Sequence, residues 1–185
     1  CTFLGIAGKI TPDDIDENFI KQSELVFLEG YLWDEGEPKA AFDKALSLAK
    51  KSAMSLSDKF CVDRHKKNFY DLVKNKLDIT FANEQEIMEL IDAKTFDDVI
   101  KFGKHLNKLL VITRSDKGSV AISGSEVAQC EAQKNLKIVD LTGAGDLFAA
   151  GFLSGYSNKI SNKGSLQKGT EMASKIIQTI GARLT

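Results

Sequence analysis

No apolar run in the chain approaches the roughly 20 residues of a membrane span, and the first residues carry no basic segment followed by an apolar one, so no anchor or export signal is expected. Cysteine is scarce: Cys1, Cys61 and Cys130 are odd in number and fall outside any paired-ligand spacing. That argues against a disulfide framework or a zinc site and fits a reducing cytoplasm. An excess of one charge is also missing, since the net charge is -1 and the lysines are scattered over predicted helix surfaces. Neither nucleic acid nor an anionic membrane is therefore expected as a partner. Histidine is limited to His65 and His105, on separate predicted helices, so neither is expected to find a ligand partner or to act in catalysis. Two common phosphate motifs are absent. A dinucleotide fingerprint needs a third glycine where Phe148 stands, and a P-loop needs Gly-Lys-Ser/Thr, whereas Lys117-Gly118-Ser119 and Lys163-Gly164-Ser165 run in the wrong order.

What is present is enough apolar material, 43% of 185 residues, for one sizeable core and a single domain. Thr11-Pro-Asp-Asp14 has a cap, a proline at the first helical position and acids in the first turn, so a short helix begins there. Leu25 to Leu28 reads as a buried strand; Pro38 opens a helix whose Ala41, Phe42, Ala45, Leu46 and Ala49 recur at helical spacing. Ala53 to Leu56 is the next strand, and Asp63 is the expected cap of a helix carrying Phe69, Leu72 and Val73. Asp78 to Ala82 and Leu109 to Thr113 are strands, with helices over Glu84 to Ile91 and Phe96 to Leu106 between them. Ser119 to Ile122 and Val127 to Glu131, joined at Gly124, look antiparallel; Lys137 to Val139 is a short buried strand, and Leu147 to Tyr156 and Gly164 to Ile180 are helices. No repeat, linker or low-complexity segment interrupts this alternation. The expected fold class is α/β, a mainly parallel central sheet with helices on both faces.

The chemistry concentrates in Asp140-Leu-Thr-Gly-Ala-Gly-Asp146, placed between that short strand and an apolar helix. Two glycines there present backbone N–H groups at a positive helix end, where anions bind. Gly143 and Gly145 carry no Cβ to block a close approach, and Asp146 falls in the first helical turn. A phosphate and a base would meet in that turn. Asn83-Glu-Gln-Glu86 follows another strand directly, where an open α/β sheet places its ligand crevice. Thr113-Arg-Ser-Asp-Lys-Gly118 follows a third.

These motifs, in this order, resemble the C-terminal signature of the PfkB, or ribokinase-like, carbohydrate and nucleoside kinases. The match runs on through Ala150 and Gly151 and departs at Leu141, where the family usually has threonine or another small residue. The resemblance implies a ribokinase-like fold and an ATP-dependent phosphotransferase that phosphorylates a hydroxymethyl group of a sugar or nucleoside. It makes Asp146 the base and Gly143, Ala144 and Gly145 the anion hole. It places Asn83 at the phosphates and Glu86 on the water shell of Mg²⁺. Thr113, Ser115 and Gly118 match a Thr-x-Gly-x-x-Gly nucleotide loop in which Ser115 replaces the first glycine. Asp140 matches an acid that contributes to a K⁺ site in some relatives; the plainer reading of the residue itself is a strand-end Asp bonded to nearby N–H groups. Leu28-Glu-Gly-Tyr-Leu-Trp33 and Leu56-Ser-Asp-Lys-Phe-Cys-Val-Asp-Arg64 are similar to the adenosine-kinase-like branch.

The opening Cys1-Thr-Phe-Leu-Gly-Ile-Ala-Gly8 reads as the middle of a strand and its turn. Residues 1–185 are accordingly expected to be the C-terminal portion of a single PfkB-type kinase domain. The N-terminal part and its lid, through which relatives can form a homodimer, would be absent, and this fragment alone would be inactive. A catalytically inactive nucleotide- or nucleoside-binding regulatory module of the same fold is the alternative. Asp146 is the residue that separates the two.

Overall fold

The computed structural model describes residues 3–34 and 37–184. Its strands are β1 (Val26–Glu29), β2 (Ser52–Ser55), β3 (Ile79–Asn83), β4 (Leu109–Thr113), β5 (Ser119–Ser123) and β6 (Glu126–Cys130). They form a mixed six-stranded sheet in the order β1-β2-β3-β4-β5-β6, with helices on both sides. The helices are α1 (Glu17–Gln22), α2 (Pro38–Leu48), α3 (Lys59–Asp71), α4 (Glu84–Leu90), α5 (Phe96–His105), α6 (Ala144–Ser157) and α7 (Asn162–Ile176). The chain falls into two compact units, Cys1–Leu110 and Val111–Thr185.

In the first unit β1 pairs with β2 and β2 with β3, all parallel, and the Leu109 N–H donates to the Asp78 carbonyl beside β3. Ser52, Ala53, Met54 and the first four residues of β3 are all buried, as parallel strands covered on both faces must be. β1 is an edge strand, and only Leu28 of the expected buried run is buried; Phe27 stays 38% exposed. Phe42, Phe69, Met54, Leu56 and Ile79 are fully buried, and Trp33 packs edge-on against Phe42 and Phe69. Thr11 and Asp14 cap each other around a 3₁₀ turn at Pro12–Asp14.

Two expectations change here. The cap of α3 is Asp58, whose carboxylate accepts the Cys61 N–H at 2.6 Å; Asp63 lies inside the helix. A carboxylate closer to the helix start reaches an unpaired first-turn donor, which Asp63 cannot. The opening segment is not a strand: Gly5–Lys9 is a 3₁₀ turn, and Cys1 and Thr2 lie outside the described residues.

In the second unit β5 and β6 form the expected antiparallel hairpin, turning at Gly124 with φ 55°. α6 and α7 pack with almost no side chain between them. A Cβ on Gly151 would lie 2.6 Å from the Lys168 carbonyl, one on Gly155 2.7 Å from Ser165 Oγ, and one on Gly169 2.8 Å from the Phe148 carbonyl. The glycine and small residues of Leu147 to Tyr156 thus let two helix backbones touch.

Lys137 to Val139 is not a strand. Ile138 and Val139 are 64% and 45% exposed, and the segment's amides meet the end of α7, where the Ile177 carbonyl accepts from Val139 N (2.8 Å) and Asp140 N (3.3 Å). A strand needs a neighbouring edge for its ladder, and among the described residues none pairs with this segment. The same bonds explain why α7 stops at Ile176 and not at Ile180: they draw the next carbonyl out of the helical pattern, and Gly181 then turns with φ 86°.

Candidate active site

In the second unit the glycine turn is built as the sequence predicts, with one difference. Gly143 caps α6 with φ 79°, and the Leu147 N–H closes the first turn on its carbonyl at 2.9 Å. Gly143 is required twice over, since this φ disfavours any Cβ and the added atom would lie 3.0 Å from Ala182 Cα and Cβ. A Cβ on Gly145 would meet nothing within 4 Å, so the space above that residue is open. Ala144 N is turned back to the Leu141 carbonyl at 3.2 Å. Among the described residues, the amides of Gly143 and Gly145 have no such backbone acceptor, which leaves those two for an anion. Asp146 is exposed in the same turn, while Phe148, Ala149 and Phe152 are buried.

Asp140 stands just before the turn. Its Oδ1 accepts Thr142 N (2.9 Å) and Thr142 Oγ1 (2.7 Å), and its Oδ2 accepts Gly181 N (2.9 Å). These donors, the Thr142 amide foremost, hold the carboxyl below the usual carboxylate range.

Thr113 ends β4, and a 3₁₀ turn at Ser115–Lys117 leads to Gly118. Ser115 adopts φ 54°, the left-handed region that favours glycine. Gly118, at φ 84°, cannot carry a side chain: its Cβ would fall 2.0 Å from the Cys130 carbonyl at the end of β6. Its glycine is thus fixed by the hairpin itself. The Arg114 N–H donates to the Gly118 carbonyl at 2.8 Å and closes the loop.

In the first unit Asn83 and Glu86 come together as reciprocal caps of α4. Glu86 N donates to Asn83 Oδ1 (2.8 Å), Asn83 N to Glu86 Oε2 (2.8 Å) and Asn83 Nδ2 to Glu86 Oε1 (2.6 Å). Asn83 is exposed, whereas Glu86 is only 4% exposed. Burial pushes the Glu86 carboxyl up from 4.5 to about 7; Asp58 and Glu29 add to the rise, and the bonds from Asn83 oppose it. A carboxyl raised in the folded state contributes stability that is complete below pH 4.5 and lost as pH rises through about 7. The Glu86→Gln variant should escape this loss. Between pH 5 and pH 8 it should gain, relative to the parent, up to about 3 kcal/mol of unfolding free energy. Urea denaturation at both pH values measures the difference, and an unchanged difference would show that Glu86 ionises normally.

The two segments similar to the adenosine-kinase-like branch carry groups to which the sequence assigned no individual role. Ser57, at φ 73°, donates from Oγ to Glu29 Oε1 (2.8 Å) and accepts the Tyr31 N–H (3.1 Å). The Tyr31 hydroxyl bonds Asp58, and desolvation raises its pKa. The ligand atoms of Asp34, Cys61 and His65 lie within 4.8 Å of one another, although no spacing between the cysteines or histidines suggested a shared site. Cys61 and His65 stand one helical turn apart, the only sequence signal for this cluster. Asp34 takes Arg64 Nε at 3.0 Å and His65 Nε2 at 2.8 Å, and burial pushes the Cys61 thiol up to about 12. The cluster ties the 3₁₀ turn Gly30–Asp34 to α3 at a residue, His65, whose backbone leaves the helical range (φ -115°, ψ 18°). Among the described residues no helix is long and apolar enough to cross a membrane.

Comparison with known proteins gives a consistent picture. A family model described as "pfkB family carbohydrate kinase" matches residues 1–185. The crystal structure of adenosine kinase from Sinorhizobium meliloti is 37% identical with a TM-score of 0.92; the match covers 96% of this chain and 56% of that one. A 5-dehydro-2-deoxygluconokinase of Listeria monocytogenes is 28% identical over 91% of this chain and 55% of its own length. Fructoselysine 6-kinase of Escherichia coli is 26% identical over 96% of this chain and 63% of its own. The chain thus spans a little over half the length of such relatives.

Proposed function

The chain belongs to the pfkB carbohydrate kinase family, and from that premise we propose that the full-length protein containing it transfers the γ-phosphoryl group of ATP to a hydroxymethyl group of a sugar or nucleoside. The observation that carries the reading is the α6 turn: two unengaged glycine amides, open space above Gly145 and an exposed carboxylate at Asp146. Both units are read as portions of one kinase domain, because a single family model spans them.

The acceptor hydroxyl oxygen forms a bond to the γ-phosphorus while the bond from that phosphorus to the β,γ-bridging oxygen breaks, and ADP leaves. The hydroxyl proton passes to the Asp146 carboxylate, which lies in the first turn of α6 beside the two glycine amides. The transition state spreads negative charge over the transferred oxygens, and fixed N–H donors at Gly143 and Gly145 lower its energy without reorganising. Thr113, Ser115 and Gly118 serve the nucleotide, and Asn83 serves its phosphates. The Asn83 and Glu86 pair suits a hard cation that keeps its waters, since a buried carboxyl with neighbouring Asp58 and Glu29 is relieved by positive charge. Mg²⁺, when bound, neutralises the triphosphate.

Among acceptors, the adenosine kinase likeness at 37% identity puts a nucleoside first, and the likeness to a probable sugar kinase at 35% identity keeps sugars in the panel. ADP release by the full-length protein across adenosine, ribose, fructose and fructoselysine tests the reading. Turnover is expected with at least one acceptor, adenosine first. A folded full-length protein inactive with every member of a broad sugar and nucleoside panel would favour the binding-module alternative.

A further inference from the structure

The carboxylate of Asp140 does none of the work assigned so far, yet both of its oxygens are engaged on opposite sides of the polypeptide. On the near side it closes a local turn with Thr142; on the far side it accepts the amide of Gly181, 41 residues away. Gly181 adopts φ 86° and begins a short strap beyond α7. The next residue of the strap, Ala182, is the one against which Gly143 is pressed, at 3.0 Å from the position of a Cβ. The Ile177 carbonyl reinforces the same junction by accepting Val139 N and Asp140 N. The first turn of α6 therefore rests on the strap, and the strap is fastened by Asp140.

We propose that Asp140 is a positioning residue: by holding the Gly181–Ala182 strap beneath Gly143, its carboxylate aims the Gly143 and Gly145 amides at the transferring phosphoryl group. The catalytic half of this statement rests on the kinase reading above; the structural half does not. An ionised carboxylate suits the task, because charge-assisted bonds to backbone N–H groups are about twice as strong as neutral ones. Its three protein donors, at least one on each oxygen, give it a role that needs no bound K⁺. A misaimed donor costs transition-state stabilisation more than ground-state binding, so the expected signature falls on kcat.

The test compares Asp140→Ala, Asp140→Asn and Gly181→Ala in the full-length protein. Gly181→Ala leaves Asp140 in place but strains the strap, since alanine disfavours φ 86°. Two measurements are made. The first is amide hydrogen exchange by NMR at residues 141–146 and 181–184. Asp140→Ala should raise exchange at least tenfold at Gly181 and several-fold at Gly143 and Gly145, and Gly181→Ala should reproduce the effect on the turn. The second is steady-state kinetics in KCl and in choline chloride. Asp140→Ala and Gly181→Ala should each lower kcat about 10- to 100-fold with nucleotide KM within threefold, equally in both salts, and Asp140→Asn should fall between them and the parent, because its amide oxygen still accepts from Thr142. Unchanged exchange in Asp140→Ala overturns the fastening itself. Faster exchange with kcat within twofold of the parent overturns its bearing on catalysis. Tenfold activation of the parent by K⁺, lost in Asp140→Ala and retained in Gly181→Ala, makes Asp140 a cation ligand and overturns the proposal. Should the parent show no turnover at all, the kinase reading fails, and exchange alone decides whether Asp140 sets the turn.

Discussion

Asp146→Asn in the full-length protein is expected to lower kcat by roughly 10² to 10⁴, the range for loss of a general base, with little change in nucleotide affinity. The amide keeps the volume and the hydrogen-bonding reach of the carboxylate and loses only its capacity to take a proton. Asp146 is exposed and contributes nothing to the apolar face of α6, so the substitution should leave the melting temperature within a degree or two. Steady-state kinetics with saturating acceptor, read beside nucleotide binding by calorimetry, separates the two quantities. Near-normal kcat in a variant that binds ATP normally would remove Asp146 from the chemistry and, with it, the case against an inactive binding module.

The parts of this molecule that were legible in the sequence are those fixed by local rules. β4 has the predicted boundaries, Pro38 opens α2, and the hairpin turns at Gly124, because periodicity, a proline at the first helical position and a left-handed glycine act within a few residues. The glycine turn was legible for the same reason. What escaped depends on partners distant in sequence. Lys137 to Val139 has strand-like composition, but strand formation requires a neighbouring edge, and the described residues offer it the end of α7. Nothing near Glu86 announces that it is buried; that follows from packing beside Asp58 and Glu29, contributed by other strand ends. Asp34 meets Cys61 and His65 only because the 3₁₀ turn Gly30–Asp34 packs against α3. The engagement of Ala144 N by the Leu141 carbonyl is a property of turn geometry that residue types do not specify. Gly118 was singled out by its place in a nucleotide-loop motif, and packing adds a second reason for glycine there, since a Cβ would collide with the Cys130 carbonyl.

The two glycines of the anion turn should respond to the same substitution in opposite ways. Gly145 lies inside α6, its φ is ordinary, and a Cβ there meets nothing, so Gly145→Ala should fold as well as the parent or gain up to about 1 kcal/mol from helix propensity. That open space is the approach to an unengaged N–H, and a methyl group in it holds a phosphoryl oxygen away from the donor. Loss of one such donor costs about 10² to 10³ in kcat. Gly143→Ala, by contrast, forces a Cβ into a left-handed conformation and against Ala182, and should lower stability by about 1–3 kcal/mol as well as activity. Thermal melts and kinetics on the two full-length variants test the contrast. A Gly145→Ala variant with unchanged kcat would mean that the phosphoryl group does not approach over that residue, and the anion site would have to be sought elsewhere on the turn.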